Sequence, residues 1–234
     1  MKFILALFLF ISMNSYAQYP FEKYPAIKYD SAAFKIIEGK GKYTNIAVAH
    51  YKNYRVELLE SRLNDSSNLL LYFKDKLIKR IKGDDFVSTY LDGPLQIADI
   101  DGDGKFDFKI NIWNVGAAGL ASSRESKIYL FNKGNNKFSK IEILDFFPHM
   151  ERDINNKGKY EIIAQSLAEY KKHNYWIFNL YQYKNGKLIN VSRKFNYPIA
   201  IPYLFRDTYK VTHHIPTKEL RRLSLEQEKD YLLN

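Results

Sequence analysis

From Phe106 onward the chain alternates. Phe106, Phe108, Ile110 and Ile112 fall on one side of an extended backbone, and Asp107, Lys109, Asn111 and Trp113 on the other. Short apolar and aromatic stretches of this kind, punctuated by Gly, Asn and Asp, fill residues 33–205, and their length and spacing predict antiparallel strands. Strands are expected at 44–51, 53–59, 68–74, 77–82, 86–91, 95–99, 106–113, 127–132, 137–144, 160–166, 174–183 and 187–195. In YQYKNGKLI, Asn185-Gly186 separates two such runs, the pair favoured by a tight type I′ hairpin because both turn positions need positive φ. YLFNKGNNKFSKI is a looser version of the same unit.

A repeat emerges when the Gly-Lys-aromatic steps are aligned. EGKGKYTNIAVA (38–49), DIDGDGKFDFKI (99–110) and DINNKGKYEIIA (153–164) each read as a turn followed by a strand, with Gly41, Gly104 and Gly158 in register, 63 and 54 residues apart. A period of that size suits a propeller blade or another four-stranded module; chance recurrence of such turns in a β-rich chain is the alternative. The expected fold is all-β, with antiparallel blade-like modules that form a partial or small β-propeller or a β-sandwich, and a short C-terminal helix. The helix is read from SLEQEKDYLLN, where Ser224 and Gln227 stand at capping-box spacing. Residues 18–32 are Tyr- and Pro-rich and are expected to run extended over the surface, and NYPIAIPYLF to form an edge strand or docking segment. Residues 33–234 are read as a single β-rich domain of about three modules.

The N-terminus changes where such a fold is expected to reside. Lys2, the apolar run Phe3 to Ile11, and Ser15-Tyr16-Ala17 have the layout of a secretory signal, residues 1–17, cleaved after Ala17. The run is too short for a transmembrane anchor, which needs ~20 apolar residues, so the mature chain is expected to be soluble and periplasmic or secreted. The sequence has no Cys, which excludes a disulfide framework and a lipid-modified Cys. The formal charge of +10 would suggest nucleic acid in a cytoplasmic protein, but an exported chain rarely meets it, so no nucleic-acid partner is expected. Lys74, Lys76, Lys79, Arg80 and Lys82 alternate with Leu77, Ile78 and Ile81, as on a solvated strand face. A surface this basic could associate with anionic envelope polymers or lipids. The partner is therefore read as a protein or an envelope polysaccharide, with the oligomeric state open.

Against that charge, Asp99, Asp101, Asp103 and Asp107 are packed into nine residues. Carboxylates so close repel unless a cation lies between them or water screens them. Counting from Asp99, side-chain oxygens stand at positions 1, 3, 5 and 9, with the Lys105 carbonyl at 7 and Gly104 at the sharp sixth position, the order that wraps calcium. Position 12, where a helix-loop-helix site carries a bidentate Glu, is Ile110, and the loop runs into a strand instead. A metal-free Asp-Gly turn is the alternative.

This D-x-D-x-D-G-x-x-D loop leading into a strand resembles the calcium loops of FG-GAP/VCBS repeats, the integrin-α-like blades of exported bacterial proteins. The resemblance implies that calcium is held by Asp99, Asp101, Asp103, the Lys105 carbonyl and Asp107. Three modules are too few for the closed ring of that family's integrins. In the third module Lys157 stands at position 5, where its ammonium is expected to replace the ion by pairing with Asp153 and Glu161. In the first, Gly39-Lys40-Gly41-Lys42 is expected to be an ordinary turn.

Catalytic motifs are missing: there is no G-x-S-x-G, H-E-x-x-H or Walker loop. His50, His149, His173, His213 and His214 are read as surface or core residues. The alternative functional segment is NVGAAGLASSRES, residues 114–126, long and rich in small residues. An ion-anchored strand followed by such a loop is weakly similar to calcium-containing periplasmic inhibitor and immunity proteins that plug lysozyme-like hydrolases. The functional expectation is a calcium-stabilised, non-enzymatic binding module of the bacterial envelope. An inhibitor of a cell-wall hydrolase comes second, and an envelope hydrolase third.

Overall fold

The computed structural model describes residues 19–61, 67–83, 91–113, 124–147, 149–203 and 210–233. The expected signal segment and most of the expected strand 86–91 lie outside them. The first part of the chain forms β1 (Asp30–Ala32), β2 (Lys35–Glu38), β3 (Tyr43–Tyr51), β4 (Tyr54–Ser61), β5 (Ser67–Phe73) and β6 (Lys76–Gly83). The middle forms β7 (Leu95–Ala98), β8 (Asp107–Trp113), β9 (Glu125–Asn132) and β10 (Phe138–Asp145). The last part forms β11 (Ile162–Tyr170), β12 (His173–Lys184), β13 (Lys187–Asn190), β14 (Ile199–Pro202), a helix α1 (Thr217–Tyr231) and β15 (Leu232–Leu233).

All pairings between these strands are antiparallel, and they build three open sheets. One is the meander β2-β3-β4-β5-β6; the second runs β1-β7-β8-β9-β10-β15; the third is β11-β12-β13, with β14 continuing along β12 beyond β13. Over the described residues the protein is thus all-β with one C-terminal helix. Each Gly of the sequence repeat lies in the turn that leads into one sheet's meander: Gly41 before β3, Gly104 before β8 and Gly158 before β11, all with positive φ. The Asn185-Gly186 hairpin forms as expected, with φ of 54° and 85°.

Alternation in β9 stacks the sheets. Ile128 and Leu130 face the five-stranded sheet, where they pack with Ala47, Val56, Leu58 and Leu71. Tyr129 and Phe131 face the opposite way, into a cluster with Ile162, Ala164 and Tyr181 of the third sheet. The six-stranded sheet is therefore the middle layer, buried on both faces, which is why every residue of β9 is buried. The edge β6 carries exposed Lys76, Arg80 and Lys82, charges that blunt an open sheet edge.

Two expectations change, and a third is decided between its alternatives. Residues 19–29 do not run over the surface: Phe21 and Ile27 are buried, the Arg152 guanidinium donates to the carbonyls of Glu22 and Tyr24, and Asp153 N–H donates to the Pro25 carbonyl. The aromatic side chains that suggested a surface strap fill the outer face of the third sheet, with Tyr19 and Phe21 against Phe178. The helix begins at Thr217, where Leu220 N–H reaches the Pro216 carbonyl, so Ser224 lies inside it and caps nothing. Ser224 is buried and donates to Asn179 Oδ1 at 2.6 Å. Finally, NYPIAIPYLF contributes β14, an edge strand on β12, as one of its two readings held. No helix among the described residues is long and apolar enough to cross a membrane.

Candidate functional site

The carboxylate loop is the turn of the β7–β8 hairpin, in which Ala98 pairs with Asp107. Phe106 and Phe108 anchor it: Phe108 is fully buried, and Phe106 stacks edge-on against Tyr51, Tyr54 and Phe108. The loop is wound around its first and ninth residues. Asp99 accepts the N–H groups of Asp103 at 3.0 Å and Gly104 at 2.9 Å, and Asp107 accepts those of Ile100 and Asn132, both at 2.9 Å. Gly104 has φ 84°, a left-handed turn that a side chain would strain.

Oxygens of Asp99, Asp101 and Asp107 lie within 4.8 Å of one another. Asp103 is drawn aside to Lys105, accepting its N–H at 2.9 Å and its ammonium at 2.5 Å. The predicted ligands therefore divide into a convergent trio and an Asp103–Lys105 ion pair at the rim. Burial pushes the Asp107 carboxyl up to about 7, against the pull of its two N–H donors and with help from the charges of Asp101 and Asp103. Asp101 is also raised, by burial and then by Asp103. In both, burial and then neighbouring like charge disfavour the carboxylate, a penalty that a divalent cation would relieve. The donors are all carboxylate oxygens, the hard set that suits calcium rather than a thiophilic metal. Each carboxylate has about four lone-pair sites, so accepting an N–H leaves capacity for an ion.

The third module builds the same loop from a different sequence. Asp153 accepts the N–H groups of Lys157 at 2.9 Å and Gly158 at 2.7 Å, and Glu161 accepts that of Ile154 at 2.9 Å. Lys157 does not take the place of an ion: it is exposed, and among the described residues it makes no ion pair with Asp153 or Glu161. Neutral donors do that work, because Gln182 Nε2 reaches Glu161 at 2.6 Å and Asn155 Nδ2 at 3.3 Å. The two loops also touch. A Cβ on Gly102 would stand 2.7 Å from Lys159 Cγ and 3.1 Å from the Gly158 carbonyl, so only Gly allows this approach. Beside them opens a cleft of about 500 Å³ lined by Asp101, Asp103, Lys133, Lys159 and Lys184.

The polar face of β8 was legible as polar but not as buried. Lys109 donates to Glu151 at 2.8 Å, and Glu151 also accepts the hydroxyls of Tyr129 at 2.6 Å and Tyr29 at 2.5 Å. Burial pushes Glu151 up, but Lys109 and the two hydroxyls outweigh it and hold the carboxyl below its usual range. Lys127 pairs with Asp145 and donates to the Ile163 carbonyl at 2.9 Å, and Asp145 accepts N–H groups of Phe146 and Gln165. Only the placement of a third sheet over this face explains the burial, and no local sequence signal carries that. His149 packs between Tyr19, Phe21 and Phe178, while the other four histidines are exposed. Of the 114–126 segment only Arg124, Glu125 and Ser126 are described, and the last two belong to β9.

Comparison with family models, curated proteins and solved structures gave no match to this chain.

Proposed function

We propose that this chain is an exported, calcium-stabilised binding module of the bacterial envelope without catalytic activity of its own. The observation that carries the reading is the trio Asp99, Asp101 and Asp107, whose oxygens converge within 4.8 Å in a loop that the buried Phe108, the half-buried Phe106 and the β7–β8 hairpin hold in place. In this reading Asp103 leaves Lys105 to join the trio, the Lys105 carbonyl completes the set, and the ion pins the hairpin against the third module's loop. The likeness of the loop to FG-GAP/VCBS repeats and the signal-like N-terminus support the exported setting, where millimolar calcium fills sites of modest affinity.

The test is metal analysis of the mature protein after dialysis against millimolar calcium, beside an Asp99→Asn, Asp101→Asn variant. Stoichiometric calcium in the wild type and none in the variant is the expected result; a calcium-free wild type overturns the proposal.

A further inference from the structure

A second cleft, of about 380 Å³, lies among the end of β13, the 3₁₀ turn Ser192–Phe195 and the middle of α1, and shares no lining residue with the cleft beside the carboxylate loop. Three cations line it, Arg193, Lys194 and Arg221, with no acidic residue among its described lining. None of the three makes an ion pair among the described residues. A neighbouring cleft of about 440 Å³ shares Arg193, Pro198 and Arg221, and it too has no acid in its described lining. The volumes fall within the roughly 300–1,000 Å³ of small-molecule sites.

The cations are carried on two elements tied to one buried side chain. Ser192, in the turn that presents Arg193, donates its hydroxyl to Asn179 Oδ1 at 3.3 Å, and its own Oγ receives the Leu180 N–H at 3.0 Å. Ser224, one helical turn after Arg221, donates to the same Asn179 oxygen at 2.6 Å. Asn179, Ser192 and Ser224 are all buried. Asn179 thus fixes the turn and the helix relative to each other and sets the two guanidinium groups facing one opening. Beside the cations the lining carries the apolar side chains of Val191, Pro198 and Leu225, and Leu225 is 55% exposed. Guanidinium forks match the paired oxygens of carboxylate, sulfonate or phosphate, and an exposed Leu beside them suits a hydrocarbon or ring.

We propose that this cleft binds a small amphiphilic anion, its acidic head on Arg193 and Arg221 and its apolar body against Pro198 and Leu225. The assignment is independent of calcium, so it stands or falls apart from the reading of the carboxylate loop.

The test is a fluorescence titration of the full mature protein with 1-anilinonaphthalene-8-sulfonate, a ring system with one sulfonate. Its uncharged relative N-phenyl-1-naphthylamine is titrated beside it. Saturable one-site binding of the sulfonate is expected, with the uncharged probe weaker by about tenfold or more, as loss of charge-assisted hydrogen bonds implies. Arg193→Gln/Arg221→Gln should weaken the sulfonate to the same degree, while Arg80→Gln/Lys82→Gln, which removes the same charge from the β6 edge, should leave it unchanged. Melting curves of both pairs establish that each is folded, and amide shifts in the wild type should centre on Ser192 and Arg221. No saturable binding, equal binding of both probes, or unchanged affinity in Arg193→Gln/Arg221→Gln overturns the proposal.

Discussion

Asp107 and Glu161 make the same hydrogen bond in two loops: Asp107 Oδ2 accepts the Ile100 N–H and Glu161 Oε2 that of Ile154, each at 2.9 Å. Asp99 and Asp153 repeat the relation one step earlier, each holding the N–H groups of its loop's fifth and sixth residues. The two turns are one structure written twice. Their acids part company at the third and fifth positions, Asp101 and Asp103 in one and Asn155 and Lys157 in the other, while the ninth keeps an acid in both, Asp107 and Glu161. In the proposed reading this difference assigns the cation to the first loop alone, and it can be tested loop by loop.

Calcium should raise the melting temperature of the wild type. At a concentration 100-fold above Kd, binding to the native state adds about 2.7 kcal/mol, or roughly 5–10 °C for a chain of this size. Asp101→Asn should abolish the response, and chelator should reverse it in the wild type. Asp153→Asn should lower the starting temperature yet keep the full calcium response; loss of the response in that variant would place the ion elsewhere.

Asp107→Asn turns one acceptor into an amide that faces a backbone N–H, of Ile100 or of Asn132. In chelator, urea unfolding should show a loss of about 1–3 kcal/mol, the cost of a buried donor left without a partner. Glu161→Gln should show a smaller loss, because its acid also takes the flexible Gln182 amide, which can turn over. Equal stability of Asp107→Asn and wild type would mean that this carboxylate does not organise the loop.

Lys127 and Asp145 are fully buried between the middle and third sheets. Lys127→Met strips Asp145 of its countercharge and should cost about 3–5 kcal/mol, the usual penalty for half of a buried pair. Lys127→Met combined with Asp145→Asn should recover part of it. A single-variant cost below about 1 kcal/mol would match a solvent-screened pair instead.

Glu125 begins β9 fully buried, and among the described residues neither of its carboxylate oxygens has a hydrogen-bond partner. Burial, then the nearby charge of Asp92, pushes its carboxyl up from 4.5 to about 7, with Lys127 opposing. Between those two values the folded state binds the proton more tightly than the unfolded chain, so stability contributed by this residue is lost as pH rises through the window. Glu125→Gln should match wild type near pH 4 and exceed it near pH 8, measured by chemical denaturation. A difference that does not change with pH would remove Glu125 as the titrating group.

Most strands were readable because alternation of apolar and polar residues depends only on the pleat, as in β8 and β12. The short edges β1 and β2 were not: Asp30-Ser31-Ala32 and Lys35 to Glu38 carry little apolar alternation, and their pairing to β7 and β3 is decided by tertiary contact. Ser224 shows the limit of local capping rules. Its spacing from Gln227 suits a helix start, but an inward-facing Ser in a continuing helix has the same sequence; Glu219 in the first turn, following Pro216, marks the true start. At the loop, the acids were visible in the sequence, and what was not visible was their division, since the spacing does not say whether Asp103 turns to its fellow acids or to the Lys two residues along.

The pairing of Ala32 with Leu95 sets the two ends of residues 33–94 side by side. The whole five-stranded meander is a cassette let into the middle sheet between neighbouring strands, closed by three residue pairs. Genetic exchange could replace it with another sheet, or with a short turn, without rerouting β7 to β15. What holds it to its host is the apolar face it shelters, Phe108, Ile110, Ile112, Ile128 and Leu130, and any substitute must cover that face to be tolerated.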